Sequence, residues 1–266
     1  MRRRLGICAL LFFRVTLHAI SDSDLGSIQF DQKISQLVSR DLVFRDETGK
    51  NVSLDSFLDK RPVLLLMGYY KCPMLCNMAL NGMVECLQDL RGAGQDRFQL
   101  IFVSIDPKET PALAAAKKEI YLKRYGRKNA AEQWHFLTGA QASITALSEQ
   151  IGFHSVYDPA TGQYAHPSGF VVLTPRGRIY RYFFGIQFSA AELDQSLRSA
   201  SSEKTGSRVK EFILLCFHYA PLKGKYAAIV LAVVRGAGVA TLGGLAFILW
   251  RGTKRARLTR AGGGGK

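Results

Sequence analysis

The sequence predicts an α/β domain in which a central sheet is flanked by helices. Short apolar runs alternate with helical stretches between about 21 and 207, the signature of a layered sheet. The runs PVLLLMGYY (62–70) and FQLIFVSI (98–105) have the length and composition of buried strands, and each leads through a turn into a helical segment.

The elements follow in order. LVFRDETGKNVSL (42–54) reads as a hairpin turning near Thr48-Gly49-Lys50, and Ser53 to Leu58 as a helical turn. After the first buried strand, a helix is expected from Cys76 to Leu90, broken by Arg91-Gly92-Ala93-Gly94. The second strand ends at Asp106-Pro107, which is expected to cap a helix from about Pro111 to Tyr125 that stops at Gly126. WHFLTG (134–139) then forms a strand and Gln141 to Ile151 a helix. SGFVVLTPRGRIYRYFFG (168–185) is two strands joined at Pro175-Arg176-Gly177. Ser189 caps a last helix, with Glu192 three residues on.

The formal charge of +15 raises the question of nucleic-acid binding, and its distribution answers it. Arg2, Arg3, Arg4 and Arg14 stand at the front, and Arg251, Lys254, Arg255, Arg257, Arg260 and Lys266 at the back, with no acid in either stretch. No nucleic-acid partner is expected, because this basicity reads as membrane topology. Residues 1–19 have the basic, then apolar, layout of a signal peptide ending at Ala19, or of a retained N-terminal anchor. Tyr226 to Trp250 is long enough to cross a bilayer, and the basic tail 251–266 places its far end in the cytoplasm. The expected organisation is a signal (1–19), an extracytoplasmic domain (20–207), a membrane-proximal segment (208–225), a transmembrane helix (226–250) and a cytoplasmic tail.

The chemistry concentrates at Cys72 and Cys76, a Cys-x-x-x-Cys step where a strand runs into a helix. The N–H groups and positive dipole end of a helix favour a thiolate there, and Pro73 suits the first helical position. Four residues bring the second sulfur one turn on, to the same side. Such a pair either binds a soft ion such as Cu(I) or closes as a disulfide. The step is one residue wider than the redox motif Cys-x-x-Cys and leaves room for a third ligand. Of His135, His154, His166 and His218, the best placed is His166, just before Pro167 and a strand. His135, inside WHFLTG, reads as a packed strand residue, and His154 is read similarly. Tyr69 and Tyr70 are expected to form the floor of the site, Met67, Met74, Met78 and Met83 to pack around it, and Cys86 to join the core. Cys216 and His218 form a separate Cys-x-His pair whose ligand types suit a second copper site.

The stretches GYYKCPMLC, FVSIDPKET, FLTG and AHPSGFVVLTPRGRIYRYFFG together resemble the SCO/SenC family of thioredoxin-like copper proteins. The resemblance covers nearly the whole exported domain. It implies a thioredoxin-like fold, metal ligands at Cys72, Cys76 and His166, copper as Cu(I) or Cu(II), and help in assembling the Cu(A) site of cytochrome c oxidase. The implied partners are the oxidase subunit bearing Cu(A), other copper carriers and the membrane. The alternative is a thiol–disulfide oxidoreductase that keeps the partner's cysteines reduced, with Cys72 as nucleophile. Two positions depart from the family pattern. Ala165 stands where Asp usually precedes the histidine, and the family's Asp-x-x-x-Asp has Asp106 but Thr110, with Glu109 beside it.

Overall fold

A computed structural model describes residues 28–72, 75–90, 97–127, 129–159, 161–204, 206, 215–216, 235–238, 241 and 243–244, with 75, 76, 215 and 216 by backbone alone. The chain divides into two compact units, Met1–Phe217 and His218–Lys266.

In the first unit, β1 (Val43–Arg45) and β2 (Asn51–Ser53) form the expected hairpin, and a 3-10 turn (Leu54–Phe57) follows. The elements after it are β3 (Val63–Gly68), α1 (Leu75–Gln88), β4 (Gln99–Ser104), α2 (Pro111–Tyr125), α3 (Ala130–Gln133), β5 (Trp134–Leu137) and α4 (Gln141–Gln150). Then come β6 (Val156–Asp158), β7 (Gln163–Pro167), β8 (Gly169–Leu173), β9 (Ile179–Phe184), α5 (Ala190–Ser201) and β10 (Leu215–Cys216). The central sheet has the order β5-β4-β3-β8-β9. β3, β4 and β5 are parallel, whereas β8 runs antiparallel to β3 and to β9. The mixed α/β sheet predicted from the sequence is therefore present.

Every residue of β3 is buried because both faces of the sheet are covered. Val63, Leu65 and Met67, with Tyr69 and Cys72 beyond them, join a core containing Ile144 and Leu147 of α4. Leu64 and Leu66, with Tyr70, join the opposite core, built from α1, α2 and α5. This period of two sends adjacent tyrosines to different cores.

Helix boundaries follow their local chemistry. The N-cap of α2 is Thr110, whose Oγ1 accepts the Leu113 N–H at 3.4 Å, with Pro111 at the first helical position. Asp106 instead makes a turn, its Oδ1 accepting the Lys108 N–H at 2.9 Å, so the cap expected there lies four residues further on. Gly126, at φ 70, ends the helix in the left-handed region. Ser189 caps α5 as predicted, accepting the Glu192 N–H at 3.4 Å.

A second, three-stranded sheet has the order β10-β7-β6. The sequence reading assigned no strands to this region, and it expected His166 ahead of a strand. His166 does stand just ahead of a strand, β8, and it also lies within β7, with Cys216 as its register partner on β10 and Val156 paired to the preceding Ala165.

In the second unit, residues 235–238 are helical and the Thr241 hydroxyl donates to the Ala237 carbonyl at 2.8 Å. Among the described residues no helix is long and apolar enough to cross a membrane. The signal expected at 1–19, the tail 251–266 and most of the span expected at 226–250 lie outside them.

Candidate metal centre

Cys72 sits in the turn that joins β3 to α1, its N–H donating to the Tyr69 carbonyl at 3.3 Å, and it is buried. Helix α1 begins at Leu75, so Cys76 belongs to its first turn. Pro73 and Met74, expected at the helix start and between the sulfurs, lie outside the described residues.

The turn is held from two sides, by Glu109 ahead of α2 and by Asn77 of α1. On one side, the buried Glu109 carboxylate accepts the Tyr70 N–H through Oε2 and the Lys71 N–H through Oε1, each at 2.8 Å. The Ser104 hydroxyl donates to the same Oε2 at 2.6 Å. On the other side, Asn77 Nδ2 donates to the Cys72 carbonyl at 2.9 Å, while Lys117 Nζ donates to Asn77 Oδ1 at 2.9 Å. Charge-assisted bonds of this kind fix backbone more firmly than neutral ones. The chain entering the cysteine loop is thereby tied at Tyr70, Lys71 and Cys72.

His166 is 2% exposed. Its Nδ1 lies 2.9 Å from the Pro167 carbonyl. A carbonyl only accepts, so Nδ1 carries the proton and Nε2 presents the lone pair that a metal requires. Orientation of the imidazole, which an Asp at 165 would otherwise supply, comes from this backbone oxygen. The ring packs edge-on to Tyr69 at 6.0 Å and tilted against Phe153 at 5.6 Å between centroids. Tyr69, three residues before Cys72, thus connects the cysteine turn with the histidine strand.

The other predicted residues separate cleanly. Tyr70 lies in the opposite core, its hydroxyl shared between the Phe102 and Leu137 carbonyls at 3.0 and 2.8 Å, so of the two tyrosines expected at the floor it is Tyr69 that packs beside His166. His135 packs tilted against Phe57, and burial, aided by the Lys118 ammonium, pushes its imidazole down to about 4. His154 Nε2 lies 2.9 Å from Asp31 Oδ2 at the surface. Cys86 is buried in the opposite core, where desolvation pushes its thiol up to about 12. Met67 and Met83 pack in the core, while Met78 is exposed. His218 lies outside the described residues. No cluster of three His, Cys, Asp or Glu side chains occurs among the described residues, to which the Cys76 and Cys216 side chains do not belong.

Residues 31–201 match the family model SCO1/SenC, which is more than half of the chain. The chain belongs to the SCO1/SenC family. No curated protein matches it. Solved structures place this SCO1/SenC domain in a known fold. A SCO1/SenC family lipoprotein from Bacillus anthracis is 16% identical with a TM-score of 0.53, and the match covers 64% of this chain and 98% of that one. BsSco, a member of the Sco family of cytochrome c oxidase assembly proteins in which a disulfide switch was identified, is 22% identical with a TM-score of 0.50, over 66% and 100%. Arabidopsis thaliana ScoI with copper bound is 14% identical with a TM-score of 0.50, over 61% and 96%.

One structurally important residue was missed in the sequence. Glu109 was noted there as a neighbour of an incomplete acidic pair, yet it is this carboxylate, and not Asp106, that holds the cysteine loop. Its position between a strand end and a helix cap was the available signal.

Proposed function

We propose that this SCO1/SenC protein is a copper metallochaperone in which Cys72, Cys76 and His166 hold one Cu(I), passed by ligand exchange to the oxidase subunit that carries Cu(A). The observation that carries the reading is His166, buried, fixed in the tautomer with Nε2 as acceptor, and packed on the tyrosine of the cysteine turn. Two thiolates and an imidazole suit Cu(I), and the imidazole tolerates Cu(II). Membership of the family and the copper-bound state of ScoI support the same choice of metal. The oxidase enters through the family and through the description of BsSco.

In this proposal the domain lies on the extracytoplasmic side of the cytoplasmic membrane, after a signal or anchor at 1–19. The chain crosses once at 226–250, leaving the basic tail inside. A span of that length and a positive flank support this orientation.

A thiol–disulfide oxidoreductase is the competing reading, favoured by the same cysteine step and by the disulfide switch of BsSco. Anaerobic titration of the reduced full chain with Cu(I), against a chromophoric chelator, decides between them. One equivalent retained by the wild type and lost in Cys72→Ser and Cys76→Ser supports the chaperone. No retained copper, together with reduction of a model disulfide, supports the reductase.

A further inference from the structure

Arg45 of the hairpin and Thr138, just past the end of β5, form a two-way backbone bridge, each N–H donating to the other's carbonyl at 2.7 and 2.8 Å. Beside this bridge, the segment ahead of α2 and the first turn of α4 enclose a cavity of about 560 Å³. That volume is in the usual range for small-molecule sites. We propose that the cavity binds a small organic carboxylic acid in its anionic form. The proposal goes beyond the copper reading and does not rest on it.

The charges of the lining select an anion. Arg45 and Lys108 both belong to it, and neither forms an ion pair among the described residues. Lys108 Nζ stands 5.7 Å from the centre of the Tyr157 ring, near the outer limit of a cation–π attraction. Glu109 is the single acid of the lining, and its two oxygens are engaged by the Tyr70 and Lys71 N–H groups and the Ser104 hydroxyl. The guanidinium of Arg45 offers a planar fork that matches both oxygens of a carboxylate, and the Lys108 ammonium adds a second positive charge.

Thr138 points to a ligand independently of charge. It is 3% exposed and lines the cavity, yet its hydroxyl makes no hydrogen bond among the described residues, where only its backbone is paired. Buried hydroxyls are ordinarily partnered, and this one carries the donor that a carboxylate oxygen takes. Helix α4 adds to the same preference, because its N-cap is Ala140, which has no side-chain acceptor for the first-turn N–H groups. Val43, Phe44, Pro107 and Pro111 supply an apolar wall, so the ligand that fills the cavity has a carbon body behind its charged head. Glu109 belongs both to this lining and to the support of the cysteine turn, which places the cavity one side chain away from that turn.

Titration calorimetry of the metal-free full chain with glutarate and with benzoate tests this, at constant ionic strength so that screening does not imitate binding. The expected result is saturable binding of at least one of the two, at one site per chain, with a melting temperature that rises as that ligand is added. An Arg45→Gln/Lys108→Gln double variant should bind at least about tenfold more weakly. Thr138→Val should also weaken binding, while its melting temperature without ligand stays level or rises, because the lost hydroxyl has no partner among the described residues. Failure of both probes to saturate the wild type, or equal affinity in the wild type and the double variant, overturns the proposal. Inorganic phosphate bound as tightly as the better organic probe overturns the assignment to an organic acid. Copper takes no part in these measurements, so either result leaves the copper reading to its own test.

Discussion

Glu109 binds the backbone of Tyr70: its buried carboxylate accepts that N–H at 2.8 Å, from a loop on the neighbouring strand. The same carboxylate takes the Lys71 N–H and the Ser104 hydroxyl. Removing it leaves buried donors unsatisfied beside Cys72, at about 1–3 kcal/mol each where water cannot enter. Glu109→Ala should therefore lower stability by about 3 kcal/mol in urea unfolding. Glu109→Gln, which keeps one acceptor, should cost less, yet both should weaken Cu(I) binding because the cysteine loop loses its anchor. Unchanged copper affinity in a folded Glu109→Ala protein would remove Glu109 from the site's support.

His166→Ala tests the third ligand separately from the fold. The imidazole is buried against Tyr69 and Phe153, so truncation leaves a cavity and costs stability by about 2 kcal/mol. Copper binding should suffer more, by at least tenfold in a chelator competition, with loss of the nitrogen donor in the absorption spectrum. Equal copper affinity in the wild type and His166→Ala would eliminate the histidine as a ligand.

These two residues show where sequence reading succeeds and where it stops. Strands β3, β4, β8 and β9 were legible because their apolar runs are long and their turns carry Gly or Pro, and Cys72 was legible because it ends one of those runs. His166 was read as lying in a loop; its strand is set by pairing with β6 across the turn at Gly162, and the glycine itself, which takes a φ of 68 there, was the available signal. The role of Glu109 depends on a contact between segments 39 residues apart, which no local pattern encodes. The same is true of Cys216 opposite His166, a pairing across fifty residues that depends on how the end of the domain folds back.

His135 gives a pH dependence independent of copper. Its imidazole, pushed down to about 4 chiefly by burial, is neutral in the folded protein, with Nε2 donating to Gln99 Oε1 at 3.1 Å. In the unfolded chain it titrates near its ordinary value of about 6.5. Between those values the unfolded chain binds the extra proton, so this contribution is complete above about pH 6.5 and is lost as the pH falls to about 4. At about 1.4 kcal/mol per unit, the loss is roughly 3 kcal/mol. The stability difference between wild type and His135→Gln, from urea midpoints at pH 7.5 and 4.5, should shift in favour of the variant at the lower pH. A difference independent of pH would contradict the assignment.

Gly82 joins the stability of α1 to the cysteine site. Alanine normally stabilises a helix interior by about 1 kcal/mol over glycine. At Gly82 a Cβ would stand 1.8 Å from the Ile186 carbonyl oxygen and 2.9 Å from its carbon, both backbone atoms that cannot rotate away. The helix would have to move off the loop between β9 and α5, so the sign reverses and Gly82→Ala should destabilise by about 1–3 kcal/mol. Asn81→Ala, one residue earlier on the same helix, provides the propensity control and should leave the melting temperature unchanged or slightly raised. Because α1 carries Cys76 in its first turn, the displacement should also weaken Cu(I) binding in Gly82→Ala but not in Asn81→Ala. A Gly82→Ala protein that melts at or above the wild-type temperature would show that the close approach of α1 to this loop does not constrain the helix.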